Sequence, residues 1–291
     1  MKVVRFYGGL GNQMFQYAML TALKEKWGEE VLMDTHLYAS YGLHNGFELT
    51  DVFAVSAKAA TKEQIAKLSL YTECYKLSRF YHHCLPSRKT EFKERTYGKF
   101  YPEALERTGD MLYDGYWQHW EYFDSCRDCL LKEFALTNEI DERNRSFFEW
   151  LKASPKSVSV LVRRGDFLKS RLYRGLCGKD YYEKAISEAK NIIGEDAGFH
   201  FFTDDIGWCK DNFEGLIAKD GFHLVDWNVG KDSFKDMMLM SACRVNITAN
   251  SSFSWWGAYL NQRTDKVVIA PAKWINKKMA NPIQMPEWIL L

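Results

Sequence analysis

The sequence predicts a doubly wound α/β fold built on parallel strands, and three observations carry that expectation. The second half alternates five short apolar strands with amphipathic helices, the pattern that a parallel sheet covered on both faces requires. The N-terminus runs strand, glycine-rich loop, helix, strand, which is one β-α-β unit. The length, 291 residues, suffices for two such lobes sharing a cleft or for one large domain.

Each element has a local reason. Val3–Tyr7 is an apolar run that ends in GGLGNQ (residues 8–13), and Met14, Phe15, Ala18, Met19, Ala22 and Leu23 then give one face of a helix predicted over Met14–Trp27. EEVLMD (29–34) reads as the second strand. From about Thr50 to Arg107 no period dominates, and the segment reads as irregular and helical. MLYDGYWQHWEYF (111–123) resumes as a strand ending near Gly115, followed by a helix in CRDCLLKEFAL (126–136). Another helix falls within residues 137–157, and Pro155 near its end marks the expected boundary between a lobe of residues 1–155 and a lobe of residues 156–291. The second lobe then offers strands at Val158–Val162, Phe199–Thr203, His223–Asp226, Val245–Ala249 and Lys266–Ala270. A capping box, Asp180-x-x-Glu183, opens the helix that closes near Gly194.

Composition excludes several classes. Thirty-nine basic against thirty-eight acidic residues leave a net charge of +1, so no long-range field favours nucleic acid or an anionic membrane. No window reaches the roughly 18 apolar residues of a membrane span. Seven scattered cysteines read as reduced thiols of a soluble, cytoplasmic protein. Cys126 and Cys129 form a lone C-x-x-C with only His119 nearby, short of the four ligands of a structural zinc. An aromatic share of 15% suits sugar-stacking surfaces and an ordinary aromatic core alike.

The polar residues gather where such folds bind ligands. RRGD (163–166), TDD (203–205), NSSFS (250–254) and PAKW (271–274) all follow the carboxyl ends of predicted strands. Arg163 and Arg164 suit a diphosphate, because a guanidinium stays charged and presents a planar fork to two oxygens. Asn250, Ser251 and Ser252 at a helix start offer donors to the same anion. Each has a plainer reading too: Ser252 as a helix cap, Arg163 as the partner of Asp166 or Asp204, and Asp204 or Asp205 as a cap for the next helix. GGLGNQ is neither a dinucleotide fingerprint, since Met14 stands where the third glycine belongs, nor a Walker loop. No Asp-x-Asp occurs, so arginine rather than metal is expected to stabilise a leaving diphosphate, and no cofactor is expected.

GGLGNQMFQYA (8–18), YDGYWQ (113–118), VRRGDF (162–167), FFTDDIGWCK (201–210), the run 236–261 and PAKWIN (271–276) together resemble glycosyltransferase family 11, the α-1,2-fucosyltransferases, in the same order and over the whole chain. The resemblance implies a GT-B-like fold of two Rossmann-like lobes with parallel sheets facing a cleft. It further implies GDP-fucose as donor, no metal, and inverting transfer to the 2-hydroxyl of a galactose-terminated oligosaccharide. On that basis Gly11, Asn12, Gln13, Arg163, Arg164, Asp204, Asp205, Asn250, Ser251, Ser252 and Phe253 are expected on the donor, and Trp117 and Gln118 on the acceptor. Arg163 is the expected catalytic cation. Asp166 is read either as the general base or as a carboxylate that holds the arginines. One departure stands out: the family's arginine motif usually begins with histidine, and Leu161 occupies that place here. Two other readings stay open, a transferase of different linkage or donor on the same fold and a non-catalytic sugar-binding protein.

Overall fold

The computed structural model describes residues 1–291, the side chain of Lys219 excepted. The chain divides into two compact units, one of Met1–Asn138 with Met279–Ile283, the other of Glu139–Lys278 with Gln284–Leu291. The first boundary therefore falls at Asn138/Glu139 rather than at 155/156. The reason lies in the helix Glu142–Ala153, whose partners are downstream. Asn144 and Asn228 exchange reciprocal amide bonds of 2.9 and 3.0 Å, and Lys235 reaches Asp141 at 3.0 Å. Pro155 ends that helix without ending the unit.

The first unit carries a four-stranded sheet of β1 (Lys2–Arg5), β2 (Val31–Asp34), β3 (Glu91–Lys93) and β4 (Met111–Asp114), ordered β2-β1-β4-β3 and parallel throughout. Every residue of these strands is buried, as a parallel sheet covered on both faces requires. The long helix begins at Leu10, earlier than periodicity suggests, and runs to Trp27, where Gly28 takes the left-handed conformation (φ +63°) that ends it. Four residues of GGLGNQ thus form its first turn. β3 lies in the stretch where no period was legible: three residues are too few to show an alternation.

The second unit carries six parallel strands ordered β10-β9-β8-β5-β6-β7. They are β5 (Ser157–Val162), β6 (Gly198–Thr203), β7 (Phe222–Val225), β8 (Val245–Ile247), β9 (Val267–Ala270) and β10 (Ile289–Leu290). The order reverses direction at β5/β8, the kind of switch point where open α/β sheets bind ligands. Val158, Val160, Phe199, Phe201, Val245 and Ile247 join Tyr182, Ala185, Ile186 and Ala189 in one buried core. The helix Lys179–Ile193 begins at Gly178 with no side-chain cap, so the expected capping box does not form. Its tyrosines instead brace the carboxyl ends of β5 and β8: Tyr182 donates to the Leu161 carbonyl at 2.9 Å and Tyr181 to that of Thr248 at 2.6 Å. Among the described residues no helix is long and apolar enough to cross a membrane.

Candidate active site

In the second unit, β5 and β6 are paired with Val162 opposite Thr203, so residues 163–166 and 204–205 leave the sheet side by side. Arg163 spans both segments, with Nη2 2.7 Å from Asp166 Oδ1 and Nη1 3.2 Å from Asp204 Oδ2. Arg164 donates its main-chain N–H to Asp204 Oδ1 at 2.8 Å and its Nε–H to Asp205 Oδ2 at 2.9 Å. Its guanidinium also lies 4.1 Å from the Trp208 ring, within cation–π range. Gly165 makes this crossing possible, since a Cβ there would stand 2.9 Å from Asp204 Oδ2. Asp205 accepts from the Trp208 N–H at 3.1 Å and so caps the helix Ile206–Phe213. The hydrogen bond from Arg164, then that from Trp208, lowers its carboxyl below the usual range.

The two arginines are held differently. Arg163 is 36% exposed and Asp166 57%, and exposed ion pairs are worth at most about 1 kcal/mol. Phosphate oxygens can therefore replace those carboxylates at little cost. Arg164, 20% exposed and stacked on Trp208, is fixed in place.

The segment after β8 separates into inward and outward residues. Asn250 is buried, its Nδ2 donating to the Trp274 carbonyl at 3.1 Å and its Oδ1 accepting from the Cys177 thiol at 3.3 Å. It fastens the PAKW loop. Ser251, not Ser252, caps the helix Ser252–Tyr259 by accepting from the Phe253 N–H at 3.3 Å. Ser252 and Phe253 are half-buried at its first turn.

In the first unit the glycine loop is tightly built. Gly8 has φ +93°, and a Cβ on it would lie 2.5 Å from Asn12 Nδ2, so glycine is required. Gln13 is fully buried: its Nε2 donates to the carbonyls of Gly8 (3.1 Å) and Gly46 (2.9 Å), and its Oε1 accepts from the N–H groups of Glu48 (3.0 Å) and Leu49 (3.1 Å). All four hydrogen-bonding positions of the amide are spent internally, which makes it a loop staple rather than the donor contact expected. Gly11 is buried in the first helical turn, and Asn12 is half-buried, accepting from Gln118 Nε2 at 2.6 Å.

The two expected acceptor residues also face inward. Trp117 is fully buried in a left-handed conformation (φ +56°), packed against Phe92, Tyr113 and Tyr122 with ring centroids 5.7–6.1 Å apart. Gln118 is buried too, accepting from the Tyr97 hydroxyl while it donates to Asn12. The half-buried ring beside them is Tyr116.

Sequence reasoning missed a buried ion network at the carboxyl edge of the first sheet. Arg5, Asp34 and Asp114 are the last residues of β1, β2 and β4. Arg5 bridges Asp34 at 2.9 Å and Asp114 at 3.1 Å, and Asp114 also meets Arg79 and His82, each at 3.1 Å. Burial opposes the Asp114 charge, but His82, Arg5 and Arg79 outweigh it and hold the carboxyl well below its usual range. Asp34 pairs with His36 as well. Close by, Glu94 accepts the N–H groups of Gly98, Tyr116 and Trp117 at 3.2, 2.6 and 3.2 Å, yet burial pushes its carboxyl up to about 7. The available signal was a charged residue closing each of three apolar strands.

Comparison with known proteins fits this architecture. The family model described as "Glycosyl transferase family 11" matches residues 1–291. The chain is 31% identical to an α-1,2-colitosyltransferase of Escherichia coli over 99% of this chain and 97% of that one. It is 30% identical to an O-antigen biosynthesis glycosyltransferase of Escherichia coli, with 98% of each chain covered. It is 24% identical to galactoside α-(1,2)-fucosyltransferase 1 of Leontopithecus chrysomelas over 87% of this chain and 63% of that one. Among solved structures, the fucosyltransferase NodZ from Bradyrhizobium superposes with a TM-score of 0.55 at 16% identity, covering 88% of this chain and 92% of that one. The fold is thus of the GT-B type, with one parallel sheet in each unit, and by the full-length match the chain belongs to glycosyl transferase family 11.

Proposed function

We propose that the protein transfers L-fucose from GDP-fucose to the 2-hydroxyl of a terminal β-galactoside, with inversion and without a metal or other cofactor. The observation that carries the reading is the pair Arg163 and Arg164 at the carboxyl edge of β5, in a chain of this family. In-line attack by the hydroxyl passes through a transition state with oxocarbenium character on the sugar while charge builds on the departing diphosphate. A cation already held in place stabilises that charge without reorganising. Arg163 takes this role and Arg164 fixes the loop that presents it. Asp204 and Asp205 act through the arginines, and Ser252 and Phe253 are the half-buried candidates at the helix start for the donor. The second unit is thus the donor side and the first the acceptor side.

The test is GDP release from GDP-fucose with and without lactose, in EDTA. Release that rises with lactose supports the reading; none with either, from protein that binds GDP-fucose, removes it. A second donor is favoured by one observation, the 31% identity to a colitosyltransferase. Colitose is fucose without its 3-hydroxyl, so a site that hydrogen-bonds that hydroxyl rejects it. Relative kcat/KM for the two GDP-sugars separates the readings.

A further inference from the structure

The helix Tyr75–Cys84 of the first unit is turned inside out. Its inward face is polar: Ser78 and His82 are buried, and Arg79 and His82 both meet Asp114, the last residue of β4, at 3.1 Å. These contacts fix the rotation of the helix about its own axis, and its apolar residues are thereby turned outward. Leu77, Phe80, Tyr81 and Cys84 recur at the i, i+3, i+4, i+7 spacing of one helix face. Phe80 is 55% and Leu77 39% exposed, Cys84 is exposed and Tyr81 half-buried. A helix packed on a sheet presents the opposite arrangement, with its apolar stripe toward the core. A contiguous apolar stripe left in water marks a surface that meets a partner.

The charges around the stripe identify the chemistry of that partner. Between Tyr75 and Tyr101 the side chains of Lys76, Arg88, Lys89, Arg95 and Lys99 are exposed, whereas both carboxylates of this stretch, Glu91 and Glu94, are buried. Basic and acidic residues balance over the whole chain, 39 against 38, so the excess of surface cations here is local. Lys76 stands at i, i+4 spacing from Phe80 and borders the stripe. Arg95 donates through Nη2 to the Leu85 carbonyl at 2.7 Å and through Nη1 to that of His82, which ties the segment after β3 to the last turn of the helix. The turn that carries Arg88 and Lys89 is closed in both directions, the Glu91 N–H reaching the Arg88 carbonyl at 3.0 Å and the Arg88 N–H reaching Glu91 Oε2 at 2.9 Å.

An apolar stripe bordered by cations fits the surface of an anionic bilayer. Rings and aliphatic chains enter the boundary between headgroups and acyl chains, while lysine and arginine keep their charge among the phosphates. Each such cation near the surface adds about 1 kcal/mol of attraction. The helix is about 15 Å long, half of the roughly 30 Å that a span requires, so it lies along the surface. A net charge of +1 excludes steering from a distance, but a local patch acts within a Debye length of about 8–10 Å and does not need it.

We propose that the outward face of Tyr75–Cys84, with Arg88 and Lys89 beyond its C-terminal end, docks the chain on an anionic phospholipid surface. Leu77 and Phe80 enter the interface, and the cations pair with headgroup phosphates. The surface is independent of which sugar the chain transfers.

Co-sedimentation of the full chain with vesicles tests it, using phosphatidylcholine alone and phosphatidylcholine mixed with an equal part of phosphatidylglycerol. The chain should sediment with the mixed vesicles and not with phosphatidylcholine alone, and added salt should weaken the binding. Leu77→Ser with Phe80→Ser should lower the partition coefficient by about tenfold or more, and Arg88→Glu with Lys89→Glu by at least as much. All four side chains lie at the surface, and a thermal melt shows that each variant is folded. Absence of wild-type binding to the mixed vesicles overturns the proposal, as does undiminished binding by either folded variant. Loss in the charge variant with full binding by the serine variant would show attraction to any polyanion, an acidic protein included, and would overturn docking through the apolar stripe.

Discussion

Arg163 and Asp166 face each other at 2.7 Å across the first turn after β5, and the same guanidinium reaches Asp204 on the neighbouring segment at 3.2 Å. One cation thus ties together two strand ends through carboxylates that water can reach, which leaves it both positioned and available. An arginine buried with its partner would be fixed but could not change partners without a large desolvation cost.

Arg163→Ala is expected to lower turnover by about a hundredfold and to weaken GDP binding. Asp166→Asn, which keeps the shape and removes the charge, should lower activity and GDP affinity together, because its role is to hold Arg163. Initial rates of GDP release and equilibrium binding of GDP report both. A loss of rate in Asp166→Asn at unchanged GDP affinity would return Asp166 to the role of base.

Arg164→Lys keeps the charge but loses the planar group that lies on Trp208 and donates through Nε to Asp205. The loop should loosen, with a stability loss of about 1 kcal/mol in urea unfolding and a raised KM for the donor. Equal stability and KM in the two proteins would show that Arg164 is not the fixing residue.

Gln13→Ala would strand the Gly46 carbonyl and the N–H groups of Glu48 and Leu49, while the Gly8 carbonyl keeps the Tyr38 hydroxyl at 2.8 Å. Each such group costs about 1–3 kcal/mol when it stays dry. The expected loss in urea unfolding is therefore at least about 3 kcal/mol, far more than removal of a surface ligand contact would give.

How much of this the sequence disclosed follows from the kind of signal each feature leaves. Strands β5, β6, β8 and β9 are runs of Val, Ile and Phe flanked by turn residues, and their positions and parallel direction were legible from local pattern alone. β3 and β10 were not, because three and two residues show no period and are held in place by β4 and β9 alone. The unit boundary was misplaced because Pro155 is a local signal whereas the Asn144–Asn228 amide pair is not. Residue type singled out Arg163 and Arg164 after β5, and the structure pairs them with Asp204 and Asp205. Whether an amide or an indole faces a ligand or the interior depends on contacts distant in sequence, and so Gln13, Asn250, Trp117 and Gln118 were read outward while the structure turns them inward. The charged ends of β1, β2 and β4 were visible one by one, but only the strand order β2-β1-β4 brings Arg5 between Asp34 and Asp114.

Stability should depend on pH through His200. Its ring is buried against Phe147, Trp150 and His223, and neither nitrogen has a hydrogen-bond partner among the described residues. Burial, then the neighbouring His223, pushes the imidazole down to about 3. The folded chain keeps His200 neutral where the unfolded chain, with an ordinary value near 6.5, takes up a proton. This contribution is fully present above about pH 6.5 and is lost as the pH falls toward the folded value. Between pH 7 and pH 5 the loss from this group is roughly 2 kcal/mol, so His200→Leu should flatten the pH dependence of urea unfolding by that amount. An identical slope in both proteins would show that His200 titrates normally in the fold.

Transfer of fucose to a galactose 2-hydroxyl is read from the structure of the product. Incubation with GDP-fucose and lactose in EDTA, followed by NMR of the purified trisaccharide, reads donor, acceptor atom and anomeric configuration at once. The expected product carries one fucose per GDP released, α-linked to the 2-hydroxyl of galactose, and forms at a rate that EDTA leaves unchanged. Fucose on any other hydroxyl, retention of the donor configuration, or a rate abolished by EDTA would contradict it.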